Sequence, residues 1–225
     1  MGQFILPPPI VVIRTAFQLC TQAFNGDIII TLIRSITGIC LSIGCGIIFG
    51  LCAGLSRPIA FTLRPMVIIL LAIPPIIWVV LALFWLGMGG RSVIFTVFLT
   101  CLPFTFTATM QSVLNMDKDI LEMATLYKIP VMRKITQIYI PYLCSHIFPA
   151  ISVTIGMAIK ITVMAELLGA NDGMGAQIAT ARAMLDTQSV MAYILIIVAI
   201  VMITEYLIVL PIKRLFMPWE NVNVS

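Results

Sequence analysis

The chain has 225 residues, of which 61% are hydrophobic and only 10% charged, with a mean hydropathy of +1.13 and a formal net charge of +4. A soluble domain carries about 25% charged residues, so this composition excludes a soluble globular protein and points to an integral membrane protein. No basic cluster is interleaved with aromatic residues, which argues against nucleic acid as a partner.

In chain order, no basic region followed by an apolar core and a cleavage site opens the sequence, so no signal peptide is expected. The run Leu6-Pro7-Pro8-Pro9-Ile10 keeps a helix from starting before Pro9. Residues 10–23 are moderately amphipathic, too short and too polar to span, and are expected to lie along the membrane surface. The first span begins near Ile28, and residues 35–56 carry no charge. Arg34 is close enough to one end to snorkel toward headgroups. Gly46, Gly50 and Gly54 are spaced by four, with Gly38 further up, a small-residue stripe for close approach to another helix.

After a turn holding Arg57 and Arg64, the second span covers residues 65–87 and is interrupted by Pro74 and Pro75, which predict a kink. A glycine-rich turn leads to the third span, residues 93–114. Residues 115–141 then break the apolar pattern, with seven charged side chains: Asp117, Lys118, Asp119, Glu122, Lys128, Arg133 and Lys134. Asp119 followed three residues later by Glu122 is a capping-box pattern that starts a short helix. Pro130 suits the first turn of a second. Two short helices outside the membrane, meeting at a corner near Lys128, form a docking surface more readily than a catalytic site.

The fourth span, residues 142–168, contains His146, Lys160 and Glu166. Lys160 lies about two-thirds of the way across, where a lysine faces a bundle interior or aqueous cavity unless it snorkels to the far headgroups. Glu166 is six residues on, out of register for a helical pair with it. A polar re-entry at residues 169–189 turns at Asn171-Asp172-Gly173 and holds a short helix. The fifth span, residues 190–212, contains Glu205, and Trp219 in the tail suits an interface.

The six cysteines form no CxxC pair and read as small apolar side chains rather than a disulfide framework or metal site. With one histidine, no HExxH and no GxSxG, the chain offers no catalytic constellation, so neither enzyme activity nor a cofactor of its own is expected. The five spans place eight basic residues on the side of residues 115–141 and three on the other. By the positive-inside rule that side is cytoplasmic, with the N-terminus outside and the C-terminus inside.

Glu122-Met123-Ala124, Lys128 and Ile138-Tyr139-Ile140-Pro141 resemble, with matching spacing, the cytoplasmic signature of binding-protein-dependent ABC importer permeases. That signature reads Glu-Ala-Ala, three residues, Gly, nine residues, Ile, any residue, Leu-Pro. Lys128 stands where the family has Gly. Either the corner is rebuilt around Pro130 or the first helix runs further. Ile73-Pro74-Pro75, Phe84 to Gly89, Ala165 to Ala170 and Gly173-Met174-Gly175 resemble the nitrate, sulfonate and taurine type. The family usually has six spans, one of them before the Leu6-Pro7 segment; five are expected here, from a misassigned start or a shortened subunit.

The resemblance implies an all-α integral membrane fold, the type I ABC importer transmembrane domain, with residues 1–27 as an external segment. Residues 28–225 would form the polytopic domain, with coupling helices in residues 115–141. It implies a bacterial inner-membrane permease that moves a small anion such as a sulfonate or nitrate by alternating access. Its partners would be a cytoplasmic ABC ATPase dimer carrying ATP-Mg, an extracytoplasmic solute-binding protein, a second identical permease and membrane lipid. Asp119, Glu122, Ala124, Lys128, Ile138 and Pro141 would couple to the ATPase. Arg133 and Lys134 would face the ATPase or anionic lipid, or serve positive-inside retention alone. Pro74, Pro75, Lys160 and Glu166 are candidates for the translocation path. A non-transporting scaffold subunit and a passive channel are the alternatives, separated from a permease by association with an ATPase.

Overall fold

The computed structural model describes residues 7–23, 26–116, 122–124, 126–209 and 211; Asp119 lies outside them, as does the tail with Trp219. The regular elements are all helical: α1 (Pro9–Ala23), α2 (Asp27–Leu55), α3 (Arg57–Ala72), α4 (Pro75–Leu86), α5 (Gly90–Leu114), α6 (Val131–Lys134), α7 (Ile140–Gly169), α8 (Met174–Ala183) and α9 (Thr187–Ile203). A π-helical turn, Ile135–Tyr139, joins α6 to α7, and another, Thr204–Val209, extends α9.

Among the described residues, four stretches are long and apolar enough to cross a membrane: Asp27–Leu55, Gly90–Leu114, Met132–Gly169 and Thr187–Leu207. The 29 residues of α2 rise about 43 Å at 1.5 Å per residue, more than a hydrocarbon core of about 30 Å. The second expected span is a pair of helices, α3 and α4, bent by 99°. Its cause is local. Pro74 and Pro75 lack N–H donors, and the residue before a proline avoids helical geometry, so Ile73 and Pro74 are both extended (ψ 121° and 142°). α4 then restarts with Pro75 in its first turn. Counting this pair, the described residues hold up to five spans.

The centre of the molecule is the seam between α2 and α5. A Cβ on Gly38 would lie 2.7 Å from Val97 Cγ1, one on Gly50 2.6 Å from Thr109 Cβ, and one on Gly54 2.5 Å from Val113 Cβ. Gly46 meets Thr105 closer still. The glycines spaced by four therefore let α2 lie against α5 at backbone distance, as the stripe predicts. α7 packs along this pair through Ile39, Val97, Cys101, Ala158 and Ile161. α8 packs against α7 and α9 against α8, and α1 lies on α9, its Ala16 in one apolar cluster with Tyr193 and Ile196 of α9 and Ile28 of α2. The N-terminal amphipathic helix thus has a protein partner on one side and leaves Ile10, Ile13 and Phe17 exposed on the other. All six cysteines are free; Cys101 is buried and Cys40 and Cys52 are exposed on α2.

Candidate functional site: a docking corner and charged groups in the spans

Residues 122–124 are helical, and the chain turns sharply after them. The Tyr127 amide donates to the Met123 carbonyl at 3.0 Å, and the Ile129 amide to the Ala124 carbonyl at 3.1 Å. A bond reaching back five residues around a left-handed residue is the Schellman helix ending. The left-handed residue is Lys128, with φ of +50°. The corner therefore keeps the geometry a glycine would supply and places a lysine in it. Pro130 opens the second short helix, its carbonyl accepting from the Lys134 amide at 3.1 Å.

Ala124 is buried, while Glu122, Met123, Leu126, Tyr127, Lys128 and Met132 are exposed around it. Ile138 is half-buried in the π-helical turn and Pro141 exposed in the first turn of α7. Tyr142 holds the two ends of this excursion together: its hydroxyl donates to the Asn115 carbonyl at the end of α5 at 2.9 Å. Its ring stacks on His146, with centroids 4.3 Å apart. The corner is an apolar knob rimmed by charge and anchored to two spans, suited to fill a groove on another protein.

At the opposite end of α7, a polar network joins three elements. Glu166 is fully buried; its Oε1 accepts from Arg34 Nη1 at 2.9 Å and its Oε2 from the Thr31 hydroxyl at 2.7 Å and the Gly175 amide at 3.2 Å. Arg34 also bonds Asp172 Oδ1 at 2.6 Å and the Asp172 carbonyl at 2.9 Å. Thr31 accepts from the Met174 amide at 2.9 Å. Asp27 accepts from the Gly173 amide and from Gln177, each at 3.0 Å. Gly173 has φ of +97°, and a Cβ there would collide with the Glu166 carboxylate. The sequence led us to expect Arg34 to snorkel; it is instead 8% exposed and committed to two carboxylates. The physical reason is that a buried cation with paired, fully hydrogen-bonded partners needs no headgroup. Just beyond this loop, Asp186 caps α9 by accepting from the Ser189 hydroxyl and amide, bonds that hold its carboxyl below the usual range.

Lys160 lies on a different side of α7 from Glu166 and is exposed. One turn away, Glu205 Oε2 is 3.7 Å from where a Cβ on Gly156 would stand. The candidate path residues are thus not brought together: Glu166 belongs to the network with Arg34, Lys160 to an open face, and Pro74 and Pro75 to the break between α3 and α4. The sequence does not single out Thr31 or Asp27, and it offers Arg34 only as a snorkelling cation and Asp172 only as a turn residue. The available signal was level: Arg34 is seven residues from the start of α2 and Glu166 three from the end of the antiparallel α7.

A model of the family described as binding-protein-dependent transport system inner membrane component matches residues 42–217. The chain belongs to that family. Permeases of this family are not themselves enzymes. This permease is 26% identical over 96% of its length, and over 79% of the other protein, to SsuC of Bacillus subtilis (strain 168), whose name assigns it to aliphatic sulfonate transport. It is 28% identical to the nitrate import permease NrtB of Synechococcus elongatus, covering 78% of this chain and 67% of that one. It is 24% identical to the taurine transport permease TauC of Escherichia coli (strain K12), covering 98% and 82%.

Among solved structures, a chain of the inward-facing MetNI methionine ABC transporter aligns with a TM-score of 0.69 at 18% identity, covering 84% of the permease and 93% of that chain. A chain of an amino acid ABC transporter aligns at 0.67 and 16%, covering 92% and 97%. The fold is therefore the all-helical type I importer transmembrane domain. The sequence signature lies on the docking corner, with Ala124 as its buried residue and Lys128 at its left-handed position. Among the described residues, no group of three His, Cys, Asp or Glu side chains could hold a metal ion.

Proposed function

We propose that this chain is the membrane-spanning subunit of an ATP-driven, binding-protein-dependent importer of a small anion such as a sulfonate or nitrate. It works as a homodimer with a cytoplasmic ATPase dimer, which carries ATP-Mg, and with an extracytoplasmic solute-binding protein. The carrying observation is the docking corner: an exposed apolar knob around Leu126 and Tyr127, fixed by a Schellman turn and tied to α5 and α7 through Tyr142. The excess of basic residues on its side supports a cytoplasmic corner and an external N-terminus.

The solute path follows the open face of α7. A lysine facing lipid costs up to about 2.5–3.5 kcal/mol at the centre of a span, so an exposed Lys160 two-thirds of the way across calls for protein or water opposite it, which a second copy supplies. The anionic solute rests on that cation and on relatives named for sulfonate, nitrate and taurine. The break at Pro74 and Pro75 leaves carbonyls without helical donors, which suits a cavity wall. Glu166 is assigned to holding the outer loop and not to the solute.

The test is reconstitution in liposomes with the partner ATPase and binding protein, following ATP hydrolysis and anion uptake. The binding protein stimulates hydrolysis in wild type, and Glu122→Ala abolishes the stimulation. Lys160→Met keeps it but lowers uptake by about tenfold or more, the worth of a hydrogen bond to a charged group. Failure of the two proteins to associate would return the chain to the scaffold or channel readings. Unchanged uptake with Lys160→Met would remove only the anion assignment.

A further inference from the structure

Where α2 ends, α3 begins and α5 ends, the three helices leave an open groove of about 610 Å³. One stripe of α3 lines it: Arg57, Ala60, Phe61, Arg64, Pro65 and Ile68, a spacing of three and four that puts all six on a single helix face. Leu55 of α2 and Met110 and Leu114 of α5 stand opposite. Phe61 and Leu55 are 84% and 74% exposed, so the apolar surface has no protein cover within the chain. Both arginines are exposed, and among the described residues neither has a carboxylate within 4 Å, in contrast to Arg34. The groove sits at the end of the 29-residue α2, hence at a membrane–water boundary.

We propose that this groove binds one anionic phospholipid, its phosphate held between Arg57 and Arg64 and an acyl chain lying along Phe61, Ile68, Met110 and Leu114. Each half of the site alone would be uninformative: apolar grooves take any acyl chain, and arginines beside a span follow from topology. Their placement on one stripe around one groove is what selects an amphiphile by its charge. A planar guanidinium donates two parallel hydrogen bonds to a phosphate, and two turns of helix separate the pair by about 10 Å, within reach of two long side chains that converge. A second groove, about 320 Å³ between α2 and α7, is lined by Ile47, Leu51, Leu143, Ile147 and Phe148 among other apolar side chains and offers no such selection. The site is independent of the transport reading and of the orientation of the chain.

Native mass spectrometry of the full chain, titrated with phosphatidylglycerol or phosphatidylcholine of identical acyl chains, tests it. One phosphatidylglycerol binds in preference to phosphatidylcholine. Arg57→Gln and Arg64→Gln each weaken it roughly fivefold, and the double variant about thirtyfold, from the worth of one cation near a lipid surface. Ala60→Phe, which fills the groove and keeps both arginines, also weakens it, whereas a purely electrostatic attraction would be untouched. Arg182→Gln, an exposed cation on α8 outside the groove, has no effect. Equal binding of the two lipids, full retention by the double variant, or an equal loss with Arg182→Gln overturns the site. So does a groove that retains no lipid because a second copy fills it. Should the double variant fail to fold, the single variants and Ala60→Phe still decide.

Discussion

Arg34 lies seven residues into α2, and its guanidinium reaches Glu166 at 2.9 Å and Asp172 at 2.6 Å. Glu166 is 0% exposed and Asp172 about half exposed, so the two carboxylates are not equivalent. Losing Arg34 strands the Glu166 charge inside the bundle, while Asp172 can turn to water. Arg34→Met is therefore expected to cost about 3–5 kcal/mol, the usual penalty for breaking a buried pair. Replacing both partners, Arg34→Met with Glu166→Met, should recover part of that loss, because no uncompensated charge remains. Thermal unfolding of the purified protein in detergent reads both; a single variant as stable as wild type would sink this account. The pair also shows why sequence reading stopped short. Arg34 and Glu166 are separated by 132 positions, and nothing local to either names the other.

Among the elements, what was legible had a signal within one segment. The glycines at intervals of four on α2 announce a close helix neighbour, and Pro74-Pro75 announces a break. Neither says which helix is approached, nor that the break opens to 99°, since both depend on distant packing. The docking corner falls between these cases. Its spacing was readable, but only the backbone shows that Lys128 takes the left-handed conformation at φ +50°. A side chain in that region costs about 1 kcal/mol or more relative to glycine. Lys128→Gly is therefore expected to strengthen the end of the first short helix by about 1 kcal/mol, partly offset by the greater freedom of glycine when unfolded. Lys128→Val should weaken it. Hydrogen exchange of the Tyr127 and Ile129 amides, which close the turn, measures the order. If valine protected them as well as glycine does, the strain argument would fail.

The corner at Lys128 and the Arg34–Glu166 network stand at opposite ends of one continuous helical stretch, Met132–Gly169. Its far end carries Glu166, which holds Arg34 and Thr31 of α2 and the Gly175 amide at the start of α8. Packed helices move as rigid bodies between discrete arrangements rather than deforming smoothly. A push at the corner would then tilt the stretch and be felt at its far end as a change in these hydrogen bonds. The amides of Gly173, Met174 and Gly175 are direct reporters, because each donates to a side chain of the network: Asp27, Thr31 and Glu166 in turn. On the proposed function, with an ATPase partner trapped closed by a non-hydrolysable ATP analogue, hydrogen exchange at these three amides should rise. Glu122→Ala, which on that reading uncouples the corner, should leave it at the resting level. Unchanged exchange in a complex that still transports solute would mean that the loop at Gly173 rides with α7 as one piece, and the opening would have to lie elsewhere, at the break between α3 and α4.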